Sequence, residues 1–577
     1  MIHASPLPGG PLELPAVAVW RIDAGGHIAG IDSAWETPEG VRVEQSVDIP
    51  AWLTLVKAAH KATAPRSAER FSLTHWLLPG GQDGWLALLA AGIESLPGWR
   101  VRRVGDAIAS ATVALTSRIT LQLGSAEALT GTDWSQYGEM VTPGKLLAQL
   151  RRMLEWAGVS GRCPMSLSGI ACSFFRATLK WPIVTPQYPK HLDFQQEAVQ
   201  PGRITADPGS WPQGHQYDRN GAYVAAMRDV RVPTSPRGAW TSVYEGEGIY
   251  RGEFTQPEGL PPLLRDAESR EFRYQGTGTF CSNEIDALLA VGGEFTVHEG
   301  YRFLRLARLL APFAAACWEL RERAPDPFCR DLAKGLPLRL YGVLLSQGKR
   351  EYLVPHTRDL ELGTFKLLTA DIAILEEQAD TPWRFPAIGA FVLAEQRVST
   401  WRAMCAAQAA GGRTVATYVD AVTVIGAELP TGNGLGEWKE TGAGRVDVLD
   451  PQRVRVGKWA RAGGIPKQQA LAALAAAGRG EAYGVSWRSS ATLLEVLVDG
   501  IAAGAQVERQ TTVVRRLTPL EALMLSRKGR PEYRPGEGMG GTLPPNDDDY
   551  TPSRTRDRVK RAAREAERES LREAADD

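Results

Sequence analysis

The stretch "TVATYVDAVTVIG", residues 414–426, sets one acid, Asp420, in the middle of an apolar, β-branched run. Valine, threonine and tyrosine on both sides predict a strand, a turn and a second strand. A carboxylate in such a run is costly to bury unless something pairs with it. The ordinary reading is a turn aspartate between two strands. A more specific reading needs a second acid reaching the same place. "HQYDRNGAYVAAM", residues 215–227, supplies a candidate in Asp218. Here a strand is predicted to end in Tyr217–Asp218, a turn to follow at Asn220–Gly221, and a helix to start at Ala222. Alone, Asp218 also reads as a turn or cap residue. Taken together, two carboxylates on adjacent strand ends can bind a pair of divalent cations about 3.5–4 Å apart, the arrangement for in-line displacement at phosphorus. Mg²⁺ suits carboxylates plus substrate phosphates, so a content of only eight histidines is no obstacle.

A third constellation is "FCRDLAKGLPLRLYGVLL", residues 328–345. Arg330 and Lys334 are four apart, so a helix would present both on one face. Tyr341 lies two turns beyond Lys334 on nearly the same face. Such a face is suited to gripping a triphosphate and stacking near a base. The alternative is an ordinary amphipathic helix with a solvated basic side. Pro337 is expected to kink the segment under either reading.

The chain has 577 residues, so two to four domains or subdomains are expected. Its formal net charge is zero; a nucleic-acid partner gains no support from overall charge, and any basic surface must be local. Six scattered cysteines form no CxxC pair, which argues against a zinc site or disulfide scaffold; a reducing, intracellular setting is the default, and a cytoplasmic location is expected. The opening "MIHASPLPGGPLELP" lacks the pattern of a secretory signal. No apolar run of about 18 residues predicts a membrane span.

Residues 1–200 mix strand-like runs ("AVAVWRI", "VRVEQSVDI", "TVALTSRITLQL") with helical ones ("GKLLAQLRRMLEWAG", "SLSGIACSFFRATLKW"). Residues 199–215 are rich in Pro and Gly and read as a linker or stiff crossing. Strands, turns and a short helix at "NEIDALLAVGG" follow. Residues 303–347 read as helical, as does "IGAFVLAEQRVSTWRAMCAAQAAGG", capped by Gly411–Gly412. Beyond 430 the chain is mixed, with a helix predicted at "PKQQALAALAAAG". It ends in a charged tail that is helical or disordered.

In order, the three constellations resemble the polymerase motifs of family B DNA polymerases, especially the protein-primed branch of phages and linear plasmids. The family's D-x-N-S-L-Y-P meets Asp218, Asn220 and Tyr223 in register, with Gly221, Ala222 and Val224 departing. Its K-x-x-x-N-S-x-Y-G meets Lys334, Tyr341 and Gly342, with Leu338 and Arg339 in place of Asn and Ser. Of Y-x-D-T-D-S only one acid survives. Asp420 can match the first family Asp, which leaves Val422 at the metal-binding position. Alternatively it is itself the metal ligand, with Tyr418 replacing the first Asp. The second register keeps the essential acid and is preferred. "QEAVQPGRI", 196–204, is similar to the family's Y-x-G-G-R linker, and "RVRVGKWARAGGIPK", 453–467, stands where its K-x-Y region belongs. The likeness covers roughly residues 195–470.

The resemblance implies an α+β multidomain fold: a right-hand polymerase with palm, fingers and thumb, behind an N-terminal RNase H-like exonuclease-type domain. The implied division is 1–198 exonuclease-like, 199–302 palm, 303–362 fingers, 363–450 palm again, 451–545 thumb and 546–577 tail. The implied activity is template-directed DNA synthesis by two-metal nucleotidyl transfer. Asp218 and Asp420 would hold two Mg²⁺ ions, and Lys334, with Arg330 behind it, would neutralise the incoming triphosphate. Tyr223 would pack under the sugar and exclude a 2′-hydroxyl. Asn220 and Tyr341 would complete the nucleotide site. Gly202 and Arg203 would touch the template backbone, and Arg453, Arg455, Lys458 and Arg461 the primer phosphates. Partners would be primer–template DNA, dNTPs and possible replication factors such as a terminal protein. "VWRIDAGGHIAGI" lacks a D-x-E pair and "ITLQLGSAEALTG" has Gly124–Ser125 where the family has an acid, so the resemblance implies that 3′–5′ trimming is absent. The competing reading is a polymerase-shaped DNA-binding replication factor without polymerase activity.

Overall fold

The computed structural model describes residues 189–346 and 383–462 continuously, together with separate segments between 16 and 515. Its organising element is a seven-stranded antiparallel sheet. In spatial order its strands are Trp459–Ala462, Arg453–Val456, Trp438–Asp450, Gly209–Arg219, Ala421–Ile425, Arg413–Tyr418 and Ile204–Ala206. The opening stretch is the predicted hairpin, Tyr418 pairing with Ala421 across a turn at Val419–Asp420. The Asp218 strand lies beside it and leads through a turn into helix Ala222–Asp229, as the sequence predicts. The Pro- and Gly-rich crossing is more regular than expected, because it carries strand Ile204–Ala206 and the start of strand Gly209–Arg219. Pro212 is accommodated where the pairing with the Trp438 strand shifts register between Gly444 and Val446, a bulge where a missing donor is tolerated.

Helix Pro386–Ala409 runs beneath the sheet and is buried on nearly every side, as an all-round apolar helix must be. Ala403 and Ala407 pack under Tyr217, Val422 and Val424. Val398 and Trp401 join a second core with Tyr250, Phe254, Phe280 and Leu288, beneath a four-stranded sheet formed by residues 238–303. Ile388 and Phe391 enter the largest core, which also takes in Leu150, Leu154 and Phe175 from the N-terminal helices.

Helix Pro327–Leu344 runs unbroken through Pro337. Leu332, Leu336, Leu340 and Leu344, each four apart, are all buried. Burial stabilises by about 1.5–3 kcal/mol per leucine, which outweighs the roughly 3 kcal/mol that an interior proline costs. Preceding it, helical structure starts only at Ala311, with Pro312 in the first turn; residues 303–310, expected to be helical, carry a short strand and a turn.

The predicted N-terminal strands belong to a ten-stranded mixed sheet on which helix Pro143–Trp156 packs, while helix Leu167–Thr178 packs against helix Pro327–Leu344. Three of the sheet's strands, Lys349–Pro355, Phe365–Leu367 and Ile372–Gln378, come from the segment after the Lys334 helix, with Leu353 opposite Val101. Likewise, strands 453–462 continue the sheet that carries Asp218, past the division expected at 450. The helix predicted at 466–478 is described only at isolated positions, and the tail at 546–577 lies outside the described residues. Among the described residues no helix is long and apolar enough to cross a membrane.

Candidate active site

Strand register brings the two acids together. Asp218 is opposed by Ala421 on one side and Lys439 on the other, and Ala421 is opposed by Tyr418. Directly opposed residues project from the same face of a sheet. Tyr418, Ala421, Asp218 and Lys439 therefore form one cross-sheet row, with Asp420 at the tip of the hairpin beside it. The Arg219 amide donates to the Asp420 carbonyl at 2.9 Å, tying the Asp218 strand to that tip. Val422 pairs with Tyr217 on the opposite face and is fully buried over the long helix. Of the two registers left open by the sequence, the one that puts a metal ligand at position 422 therefore aims it into a hydrophobic core.

Asp218 keeps solvent access as a residue, yet its carboxyl is pushed up to about 6. Burial of the carboxyl is the main cause, followed by the negative charge of Asp420; Arg461, Lys334 and Lys439 oppose the shift. Asp420 is raised too, mainly by burial, with Arg461, Arg219 and Lys334 opposing. Two carboxylates that disfavour each other's charge form a site where a cation is favourable. Among the described residues no group of three or more Asp, Glu, His or Cys gathers as a metal cluster. A pair of hard oxygen donors such as these would suit Mg²⁺ that retains waters and binds substrate phosphates.

Cations and aromatic rings surround the pair. Lys334 is exposed on its helix and its charge acts on both acids; Arg330 is exposed one turn earlier. Arg461 lies over the Tyr418 ring, 3.7 Å from its centroid, and over Trp459 at 5.5 Å. Burial lowers its pKa, against the pull of Tyr418, Asp420 and Asp218. Tyr223 and Tyr341 meet with ring centroids 5.5 Å apart, and both phenols are raised by burial. The charge of Asp420 also raises Tyr223. Gly221, where the resemblance calls for serine, has φ 57, a left-handed conformation that glycine adopts without strain.

Several expected contacts are placed differently. Arg203, expected on the template backbone, is 1% exposed. Its guanidinium donates to the Pro262 carbonyl at 2.5 Å, lies 4.1 Å from the Phe272 centroid, and is pushed down to about 9 by burial. Arg453, expected on primer phosphates, is 2% exposed and donates to Asp450 at 2.7 Å. Both are core residues and do not present their charge to DNA. Arg455 pairs with Asp447 at 3.2 Å, while Lys458 is exposed in the hairpin between strands 453–456 and 459–462. The Asn220 side-chain amide, expected at the nucleotide, donates to the Gly432 carbonyl at 3.1 Å and secures the neighbouring loop. Gly202 lies against Val419, beneath the hairpin turn. Lys439 escaped sequence reasoning, because its place opposite Asp218 depends on two register shifts along its strand.

No family model matches the sequence, and no curated protein matches it. The fold is similar to solved structures of Phi29 DNA polymerase. The complex with primer–template DNA (post-translocation binary complex) has a TM-score of 0.60 at 12% identity, covering 87% of this chain and 100% of that one. The complex with single-stranded DNA also has a TM-score of 0.60 at 12% identity, covering 83% and 98%. The ternary complex with primer–template DNA and incoming nucleotide has a TM-score of 0.59 at 14% identity, covering 82% and 95%. The likeness is one of fold: a mixed helix-and-sheet fold resembling a DNA polymerase.

Proposed function

We propose that this chain is a divergent family B DNA polymerase that adds dNTPs to a primer 3′ end on a template. The observation that carries the reading is that strand register brings Asp218 beside the hairpin tip holding Asp420, with the Lys334 charge acting on both acids, the Asp420 charge acting on Tyr223, and Tyr223 packed against Tyr341. Asp218 and Asp420 would hold the cations. Two Mg²⁺ ions there would lower the pKa of the primer 3′-hydroxyl and neutralise charge on the triphosphate. Lys334 meets the triphosphate from the helix side, a preorganised charge where negative charge develops. Arg461 and Lys439 border the acids and favour the approach of phosphates to this face. Tyr223 packs against Tyr341 and closes the sugar side of the nucleotide site.

In this reading the seven-stranded sheet is the palm, the Lys334 helix belongs to the fingers, and the N-terminal sheet is an exonuclease-like domain without trimming activity. Primer–template DNA and dNTPs are the substrates. The test is primer extension: template-directed incorporation with dNTPs and Mg²⁺, and no metal-dependent 3′ degradation of labelled single strands. Tight primer–template binding without any extension would overturn the reading and support a DNA-binding replication factor.

A further inference from the structure

Val419, the residue before Asp420, has φ 57. A β-branched residue in the left-handed region is strained and persists only when its surroundings over-determine it. Three contacts do so. The Val419 amide donates to the Arg203 carbonyl at 2.7 Å. Its carbonyl accepts from the hydroxyl of Thr400, a fully buried residue of the long helix, at 3.0 Å. Its side chain lies against Gly202, where an added Cβ would come within 2.8 Å of Val419 Cγ1 and 3.2 Å of its Cβ. Glycine would adopt this φ without strain, so what valine adds at the turn is its packing in the space left by Gly202. The crossing segment and the long helix thus grip the turn from two sides. The side chain that follows the gripped peptide is Asp420.

We propose that Gly202 and Thr400 are positioning residues for Asp420: they hold the strained Val419 turn that aims this carboxylate to the Asp218 side of the sheet. The proposal rests on reading Asp218 and Asp420 as a cation-binding pair. It assigns Gly202 a role beneath the site in place of a contact to template.

The test uses the full chain, with Mn²⁺ binding followed by electron paramagnetic resonance alongside extension kinetics and thermal melting. Gly202→Ala forces the turn away. Misplacement on that scale costs up to about a hundredfold, so Mn²⁺ affinity and kcat fall by about tenfold or more, with KM for dNTP and the melting temperature near wild type. The double variant Gly202→Ala/Val419→Gly recovers both, because the clashing side chain is gone and glycine accepts the same φ. Thr400→Val removes the hydroxyl and lowers Mn²⁺ affinity in the same direction, which keeps the test decisive should Gly202→Ala fail to fold. Wild-type Mn²⁺ affinity in Gly202→Ala or in Thr400→Val would overturn the proposal, as would a loss that Val419→Gly does not restore. Wild-type protein that binds Mn²⁺ through Asp420 but never extends a primer would overturn the polymerase reading and leave the positioning role standing.

Discussion

Asp218 is a costly residue for the metal-free fold, and that cost can be measured. Its folded pKa of about 6 lies above the ordinary carboxylate value, so the folded protein binds its proton more tightly than the unfolded chain. Stability is therefore lost as pH rises from about 4 to 6, and the penalty is full above that range. Asp218→Asn is expected to raise the melting temperature in chelator at pH 7.5, and the gain is expected to vanish near pH 4. An equal gain at both pH values, or none at pH 7.5, would count against the environment described for Asp218. Lys334 is opposite in character: it is exposed, and its charge eases that of both acids. Losing one preorganised charge at a reacting centre costs about 10²–10³ in rate. Lys334→Ala is expected to lower kcat/KM for dNTP by that factor while leaving the melting temperature unchanged. Steady-state kinetics matching wild type would remove Lys334 from the site.

At the scale of elements, the long helix Pro386–Ala409 joins three cores and also carries a buried ion pair. Arg397 and Glu284 are each 1% exposed and 2.8 Å apart, and Arg397 also donates to the Gln200 carbonyl at 2.5 Å. Removing one partner of such a pair costs about 3–5 kcal/mol, because the other charge stays buried. Glu284→Ala is expected to lose that much in chemical denaturation, and a loss under about 1 kcal/mol would mean the pair is solvated. The hairpin at 413–425, the turn after Asp218 and the long helix were legible because β-branched runs, Asn–Gly and an apolar stretch closed by glycines are local signals. Arg203 and Arg453 were misread for the opposite reason. Arginine is rarely buried, so its type suggests surface. Only the partners, Phe272 and Pro262 for one and Asp450 for the other, reverse that. Asp450 lies three residues before Arg453, a signal the sequence does contain; Phe272 is far along the chain and no local pattern points to it.

At the scale of the molecule, the N-terminal region and the polymerase-like region are interlocked. Strand Lys349–Pro355 pairs with Arg100–Val104, and Leu150, Leu154 and Phe175 share one core with Leu336, Leu340 and Phe391. Deleting residues 1–198 would unpair that strand edge and bare the core, a combination that promotes association. The fragment 199–577 is expected to aggregate in size-exclusion chromatography. A soluble, cooperatively melting monomer would show that the two regions fold independently. The central claim concerns the acid pair itself, since a single acid remains in the third motif. Cation-mediated charge stabilisation is worth several kcal/mol, and about 4 kcal/mol corresponds to roughly 10³-fold. The most direct measurement is single-turnover primer extension by Asp420→Ala and Asp218→Ala beside wild type, with primer–template affinity measured in parallel. Each variant is predicted to lose at least about 10³-fold in rate while binding DNA as wild type does. Extension by Asp420→Ala at the wild-type rate would contradict the account.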